Sequence, residues 1–423
     1  MYAGGGGPSD MPPWQAWDSY DLSGGVGPQA GYWSRSYTGI NRANLLLENI
    51  DGVKGLDADT KARYIAEARF LRGYYYFWLI RLFRNVPLFT SPLDAGEIYQ
   101  QKQAPPEKVY EQIIADFTAA IPDLPSAPLP ASENGRATKG AARAFLAKTL
   151  MWQVGSDENQ AKMQRAADLL KEVNTSPAYA LVANYPDIFS PDNSFHSGSI
   201  FEITHSSKQQ ADWSRFGNFR GNIYVQMVGP RGYTGTTYKN GWGFNPITSV
   251  LVDAMEGDPR AQYTILNADS LVSAGAASYQ AGYKNTGYFI KKFAPRIEYM
   301  AENGVVAVNY PNNYIEVRLA GTYLLEAEAL VRANGDMTRA AFLLNEVRDR
   351  VGLPAVALTL ENIYHEMWIE LATEGHRWFH LVRTGRAAEV LADEGFVDGV
   401  HEVLPIPLES LNNTQLKQNP GYN

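Results

Sequence analysis

The sequence predicts a mainly α-helical fold: tetratricopeptide-type helical hairpins, joined by an irregular, loop-rich lobe with a few short strands. Three observations carry this. Residues 314–350 hold two apolar stripes at helical spacing on either side of Asn334-Gly335-Asp336. Similar helix pairs recur before residue 175, with Ala166/Ala167 where the later pair has Ala340/Ala341. Residues 180–310 lose that periodicity and turn rich in Gly, Asn, Tyr and Phe. The expected organisation is one domain over 1–423. Segments 33–175 and 311–392 form the helical-repeat scaffold, and 1–32 and 180–310 an irregular, ligand-facing lobe.

Taken in order, residues 1–32 are Gly/Pro-rich and read as irregular, with Trp14, Trp17, Asp18 and Tyr20 close together. A helix is expected from Trp33, WSRSYTGINRANLLLENI, ended by Asp51-Gly52. Asp57 or Asp59 caps the next, ADTKARYIAEARFLRGYYYFWLIRLF, and Asn85-Val86-Pro87 stops it, because a residue before Pro avoids helical ψ. The run Tyr74–Trp78 lies within this helix and is read as packing. Pro106 opens a third helix, Thr138 caps a fourth and QAKMQRAADLLKEV is a fifth. Within 180–310, SIFEITHS and GYFIKKF alternate as strands do. In the 314–350 hairpin, Gly335 is the expected left-handed C-terminal cap and Asp336 the N-cap of the second helix. A further helix is expected across ENIYHEMWIELATEGHRWFHLVRTG, followed by a Pro/Asn-rich tail.

Composition narrows the function. The net charge is −8 without any Lys/Arg run, which argues against nucleic acid or an anionic membrane as the main partner. There is no Cys, so disulfides and thiolate metal sites are excluded. No apolar run reaches the ~20 residues that span a bilayer. The start, MYAGGGGPSD, reads as the middle of a loop and suggests a trimmed N-terminus. The chain has 9 Trp and 25 Tyr, many of them in Gly/Pro/Asn-rich segments where helix packing does not account for them, which points to stacking on a ligand.

Several motifs together resemble the SusD/RagB family of glycan-capturing outer-membrane lipoproteins. They are WSRSYTGINRANLLLENI, EARFLRGYYYFWLIRLFRNVPLF, RATKGAARAFLAKTL, GWGFNPITSVLVDAMEGDPR, YIEVRLAGTYLLEAEALVRANGD, LNEVRDRVGLP, ELATEGHRWFHLVRTG and LPIPLESLNNTQLKQNPGY. They follow the family's order along nearly the whole chain. The resemblance implies a fold of four tetratricopeptide-like helical pairs, a lipid anchor at the cell surface and a SusC-like TonB-dependent transporter as partner, over which the protein sits as a lid. It implies delivery of an oligosaccharide or polysaccharide without catalysis. The family's lipoprotein signal and acylated Cys are missing from this sequence. The family also usually has Asp where this chain has His380, and often Arg where it has Met367.

Candidate residues follow from chemistry and from that resemblance. An indole or phenol face offers CH–π and apolar contact to a pyranose, and neighbouring Asn, Asp or Arg bond its hydroxyls. The expected ligand contacts are Trp14, Trp17, Asp18 and Tyr20 in the N-terminal loop, and Trp213, Arg215, Tyr233 and Trp242 in the lobe. For Trp242, within GWGFNP, a structural role competes. His376 and His380 have the spacing of two ligands on one helix face, but HExxH is absent and an ordinary helix surface is the expected reading. Glu366, Glu370 and Glu374 form an i, i+4, i+8 row whose expected partners are Arg377, Arg383 or arginines of a neighbouring repeat. Fingerprints for a Ser nucleophile, a phosphate loop or a dinucleotide are lacking, and no cofactor is expected. A helical glycan hydrolase using acidic residues of the lobe, and a repeat scaffold binding peptide or protein, stay open as alternatives.

Overall fold

The computed structural model describes residues 1–208, 211–215 and 219–422, without the side chains of Ala95 and Arg215. Its principal helices are α1 (Pro12–Asp18), α2 (Gln29–Asn49), α3 (Ala58–Phe83), α4 (Pro106–Ala120), α5 (Lys139–Val154), α6 (Gln160–Asn174), α7 (Leu319–Ala333), α8 (Met337–Asp349), α9 (Leu360–Glu370) and α10 (Arg377–Arg383). The strands are β1 (Ser199–Ile203), β2 (Thr234–Gly235), β3 (Ile265–Asn267), β4 (Ala277–Ser278), β5 (Tyr288–Ile290) and β6 (Tyr314–Arg318). The chain forms two compact units. One holds Met1–Asp18, Tyr179–Leu324 and Ala341–His376; the other holds Ser19–Ala178, Leu325–Ala340 and Arg377–Asn423.

The second unit is the helical scaffold. Helix α2 packs along α3, α3 along α4, α4 against α5 and α5 against α6. The capping residues fix the starts. Asp57 accepts from the Thr60 N–H at 2.8 Å, Thr138 from that of Ala141 at 3.2 Å and Asn159 from that of Lys162 at 3.0 Å. Pro106 opens α4 in the first turn, where no N–H is needed. Glycine lets helices touch: a Cβ on Gly39 would lie 2.1 Å from the Tyr75 ring, so α2 and α3 meet there in van der Waals contact. The core is aromatic, with Phe70, Phe117 and Phe145 mutually packed at centroid distances of 5.6–5.9 Å. The tyrosine-rich run of α3 is largely packing, since Tyr74, Tyr76 and Phe77 are buried. The Tyr76 hydroxyl both donates to the Phe89 carbonyl and accepts from the Phe89 N–H. One buried ion pair, Arg72 to Asp116 at 2.7 Å, ties α3 to α4, and Arg72 also donates to Asn44 of α2.

The turn between α7 and α8 corrects one expectation. The left-handed residue is Asn334 (φ 53°), not Gly335. Asn tolerates this region because its short polar side chain bonds locally. The Gly335 N–H then donates to the Leu330 carbonyl at 2.8 Å, and Asp336 caps α8 by accepting from the Arg339 N–H.

In the first unit, β1 and β6 pair antiparallel (Ser199 opposite Arg318, Ile203 opposite Tyr314), with register shifts around Phe201. Two shorter antiparallel pairs, β2 with β4 and β3 with β5, complete the strands expected in the lobe. Val228, Ile247, Leu251, Met255, Ile290, Phe293 and Ile369 form an apolar core beneath them.

Three expected boundaries move. Residues 1–32 are not wholly irregular: Pro12-Pro13 start α1, and α2 begins at Gln29 rather than Trp33. The helix expected through EGHRWF is two helices, because Thr373 (φ 68°) and Gly375 (φ 81°) break the chain between α9 and α10. His376 falls just before α10 and outside both helices, whereas His380 lies within α10.

Candidate functional site

Residues 229–245 form the frame of the lobe's site. The Gly241 N–H donates to the Pro230 carbonyl and the Gly243 N–H to that of Gly229 at 2.8 Å, and Arg231 pairs with Gly241 as an isolated bridge. A Cβ on Gly241 would sit 2.3 Å from the Gly229 carbonyl, so the two backbones are in direct contact. The N-terminal segment adds to this frame, with Gly4 bridging Phe244 and the Gly5 N–H donating to the Gly243 carbonyl at 2.9 Å. The next loop closes it, as the Tyr283 N–H donates to the Gly5 carbonyl at 2.8 Å.

Trp242 is held in this frame by its own N–H, which donates to the Gln226 carbonyl at 3.0 Å. Its indole stacks on that of Trp213, with centroids 6.1 Å apart and planes 23° from parallel. Trp213 is 45 % exposed, a large apolar face turned to water. Trp14, on α1, sits edge-on to Phe244 at 5.6 Å, so it stands on the same 242–244 segment. Trp17 is half-buried on α1. Asp18 is held by an ion pair with Lys284 at 2.6 Å, and the Lys284 ammonium lies 5.0 Å from the Tyr2 ring centroid.

The structure thus brings Trp14, Trp213 and Trp242 onto one segment, with Asp18 fixed by a neighbouring loop. Two expected contacts lie elsewhere. Tyr233 is buried and edge-on to Tyr238 in a small core with Leu266 and Phe289, and burial pushes its hydroxyl pKa up. Tyr20 belongs to the other unit, where it stacks on His401 at 5.0 Å and packs edge-on against Phe396. The Arg215 side chain lies outside the described residues, as does Phe216. Sequence reasoning passed over Asp10 and Arg231, which border the same segment. The signal was there in GGGGPSD and GPRGYTG, a charged residue set among glycines.

The acidic row has a different use. Glu366, Glu370 and Glu374 are all buried in the first unit, and of the expected partners it is the arginines of the 314–350 hairpin, Arg348 and Arg350, that pair with them, not Arg377 or Arg383. Arg260 reaches Asp258 at 2.7 Å, Glu366 at 2.5 Å and Glu370 at 2.8 Å. Arg318 bonds Glu370 and Glu374, Arg350 bonds Glu370, Arg348 bonds Glu366 and Lys292 bonds Glu374. Burial alone would raise the Glu370 pKa. The Arg350, Arg318 and Arg260 guanidiniums outweigh it and hold the carboxyl well below its usual range. At Glu374 burial is likewise outweighed, by Arg318 and Lys292, and the pKa falls to about 2. Carboxylates kept ionised and walled in by cations are not poised to donate protons to a substrate. In the second unit Arg383 pairs with Glu328 at 2.6 Å, and the buried His380 beside them has its pKa lowered by burial to about 3. Among the described residues no group of three or more His, Asp or Glu is arranged to hold a metal ion. No described helix is long and apolar enough to cross a membrane.

A unit that buries and pairs its acidic row and offers an indole face on a glycine-framed lobe has the architecture of a binding protein. The chain belongs to the SusD/RagB family. The family described as "SusD family" matches residues 230–400, and "Starch-binding associating with outer membrane" matches residues 9–151. A solved "Laminarin binding SusD-like protein" is 43 % identical, covers 99 % of this chain and 91 % of its own, and superposes with a TM-score of 0.94. Surface glycan-binding protein A from Bacteroides thetaiotaomicron, solved in complex with laminarihexaose, is 27 % identical, with 99 % and 91 % covered and a TM-score of 0.89. The starch-binding protein SusD of the same organism is 26 % identical over 90 % of this chain and 76 % of its own.

Proposed function

We propose that this protein is a non-catalytic glycan-binding protein of the cell surface, which captures oligosaccharide and passes it to a SusC-like TonB-dependent transporter in the outer membrane. The ligand class is a neutral glucan of the laminarin type. The observation that carries this reading is the stacked Trp213–Trp242 pair, in which Trp213 is exposed, on the lobe of a chain 43 % identical to a laminarin-binding relative. An indole face gives a pyranose ring apolar contact without charge, and the backbone frame holds the face in place before the ligand arrives. Trp14 and Trp17 extend the apolar surface from α1, with Asp18 beside them as a polar contact. Family membership supports the transporter partner and a lipid-anchored position on the extracellular face.

The pairing of Glu366, Glu370 and Glu374 with cations supports the non-catalytic reading over a hydrolase. Titration with laminarihexaose and maltohexaose, with an assay for new reducing ends alongside, tests it. Saturable binding of laminarihexaose without product supports the proposal; release of reducing ends overturns it. Co-purification with a large β-barrel after mild detergent extraction, and cleavage of the protein on intact cells by external protease, test the partner and the location.

A further inference from the structure

Arg231 leaves the frame beside Trp242 with nothing to bind. It is exposed, and among the described residues its side chain makes no hydrogen bond or ion pair. Its path is set by glycines: its Cβ lies 3.3 Å from where a Cβ on Gly243 would be, and its Cδ 3.9 Å from that position on Gly282. The guanidinium ends at Gly6. A Cβ on Gly6 would sit 2.7 Å from Arg231 Cζ and Nη1, and 2.8 Å from Asp10 Oδ2. Asp10 accepts one bond, from the Gly6 N–H at 2.7 Å, and its other oxygen has no partner. A guanidinium and a carboxylate thus both sit against the Gly6 Cα without an ion pair between them, an approach that residue 6 allows because it has no side chain.

We infer that Arg231 and Asp10 form a donor–acceptor pair that reads adjacent hydroxyls of a neutral sugar, with Gly6 letting both groups sit against the backbone. This rests on the proposed glycan-binding reading and names what that site selects. A hydroxyl both donates and accepts, so two neighbouring hydroxyls satisfy Arg231 and Asp10 together. In a 3-linked glucose the free 4- and 6-hydroxyls are such a pair. A sugar oxidised to a carboxylate at C6 accepts from Arg231 but only repels Asp10. The pair therefore discriminates against uronate while the tryptophans set the apolar contact.

The test is calorimetric titration of the full chain with laminarihexaose and with C6-oxidised laminarihexaose. Arg231→Met weakens laminarihexaose binding about tenfold or more, the usual effect of losing a charge-assisted bond. Gly6→Ala does the same by displacing the guanidinium and the Asp10 carboxylate; its backbone φ is not in the left-handed region, so alanine adds no backbone strain, and an unchanged melting temperature shows that the fold is kept. Asp10→Asn narrows the preference for neutral over oxidised ligand about tenfold. If Arg231→Met and Gly6→Ala bind like the parent while Trp213→Ala loses affinity, the glycan site stands and this inference is overturned. If the parent binds neither ligand, both readings fail.

Discussion

Trp213 and Trp242 carry the functional reading, and their stacking makes each depend on the other. Removing either ring takes away apolar contact to sugar worth about 1–2 kcal/mol, a five- to thirtyfold loss in affinity. Trp213→Ala and Trp242→Ala should each show that loss for laminarihexaose by titration, with Tyr233→Phe as a silent comparison because its ring lies in the core. The sequence pointed to both tryptophans from aromatic bulk in a glycine-rich segment, and the two rings stack on each other. The same reasoning pointed equally to Tyr20 and Tyr233, which the structure uses in packing. An aromatic residue in an irregular stretch either covers a local core or faces water, and only the tertiary fold decides which. Arg231 and Asp10 went unmarked because nothing local shows that residue 231 returns to residue 6.

Glu370 is the residue on which stability should depend most. Glu370→Gln removes the carboxylate that Arg260, Arg318 and Arg350 share and leaves Arg350 without an acidic partner among the described residues in a buried site, at a cost of about 3–5 kcal/mol by chemical denaturation. Acid should find the same weakness. Glu370 and Glu374 have folded pKa values below their unfolded ones, so the stability they add is present above about pH 4.5. It is lost as pH falls towards about 2, the folded value at Glu374. His380 acts over a higher window. Its folded pKa of about 3 lies below the unfolded 6.5, so its contribution is complete above pH 6.5 and drains away as pH falls through that range. Melting temperature measured against pH should therefore start to fall below about pH 6.5, and His380→Gln should lessen the upper part of that slope, to which His196, His205 and His401, their pKa values also lowered by burial, contribute.

Among elements, helices were easier to read than their ends. The α2–α6 series was legible because each helix has its own apolar stripe, and Asp57, Pro106 and Thr138 announce three of the starts. Thr138→Ala should cost about 1 kcal/mol of stability, measured in urea, through the lost cap on α5. The break between α9 and α10 was not legible, because ELATEGHRWF keeps a helical pattern of apolar residues across Thr373 and Gly375. Left-handed backbone at a β-branched residue such as Thr373 is set by packing and not announced by residue type. The short helix α1 was hidden for a related reason: Pro-rich flanks suggest a loop, although proline suits a first helical turn.

For the molecule as a whole, the family match spans both units, and the sequence motifs carried it before any coordinate did. With a net charge of −8 and a neutral ligand, binding should be nearly independent of salt, unlike that of an anionic polysaccharide. A marked fall in affinity at high salt would point instead to a charged ligand at Arg231 and Lys284. The most direct test of the central claim is calorimetric titration of laminarihexaose into the parent protein and Trp213→Ala, followed by a reducing-end assay on the same samples. The expected result is saturable binding in the parent, a five- to thirtyfold loss in the variant and no new reducing ends in either. Equal affinity in both proteins, or release of reducing ends by the parent, would contradict it.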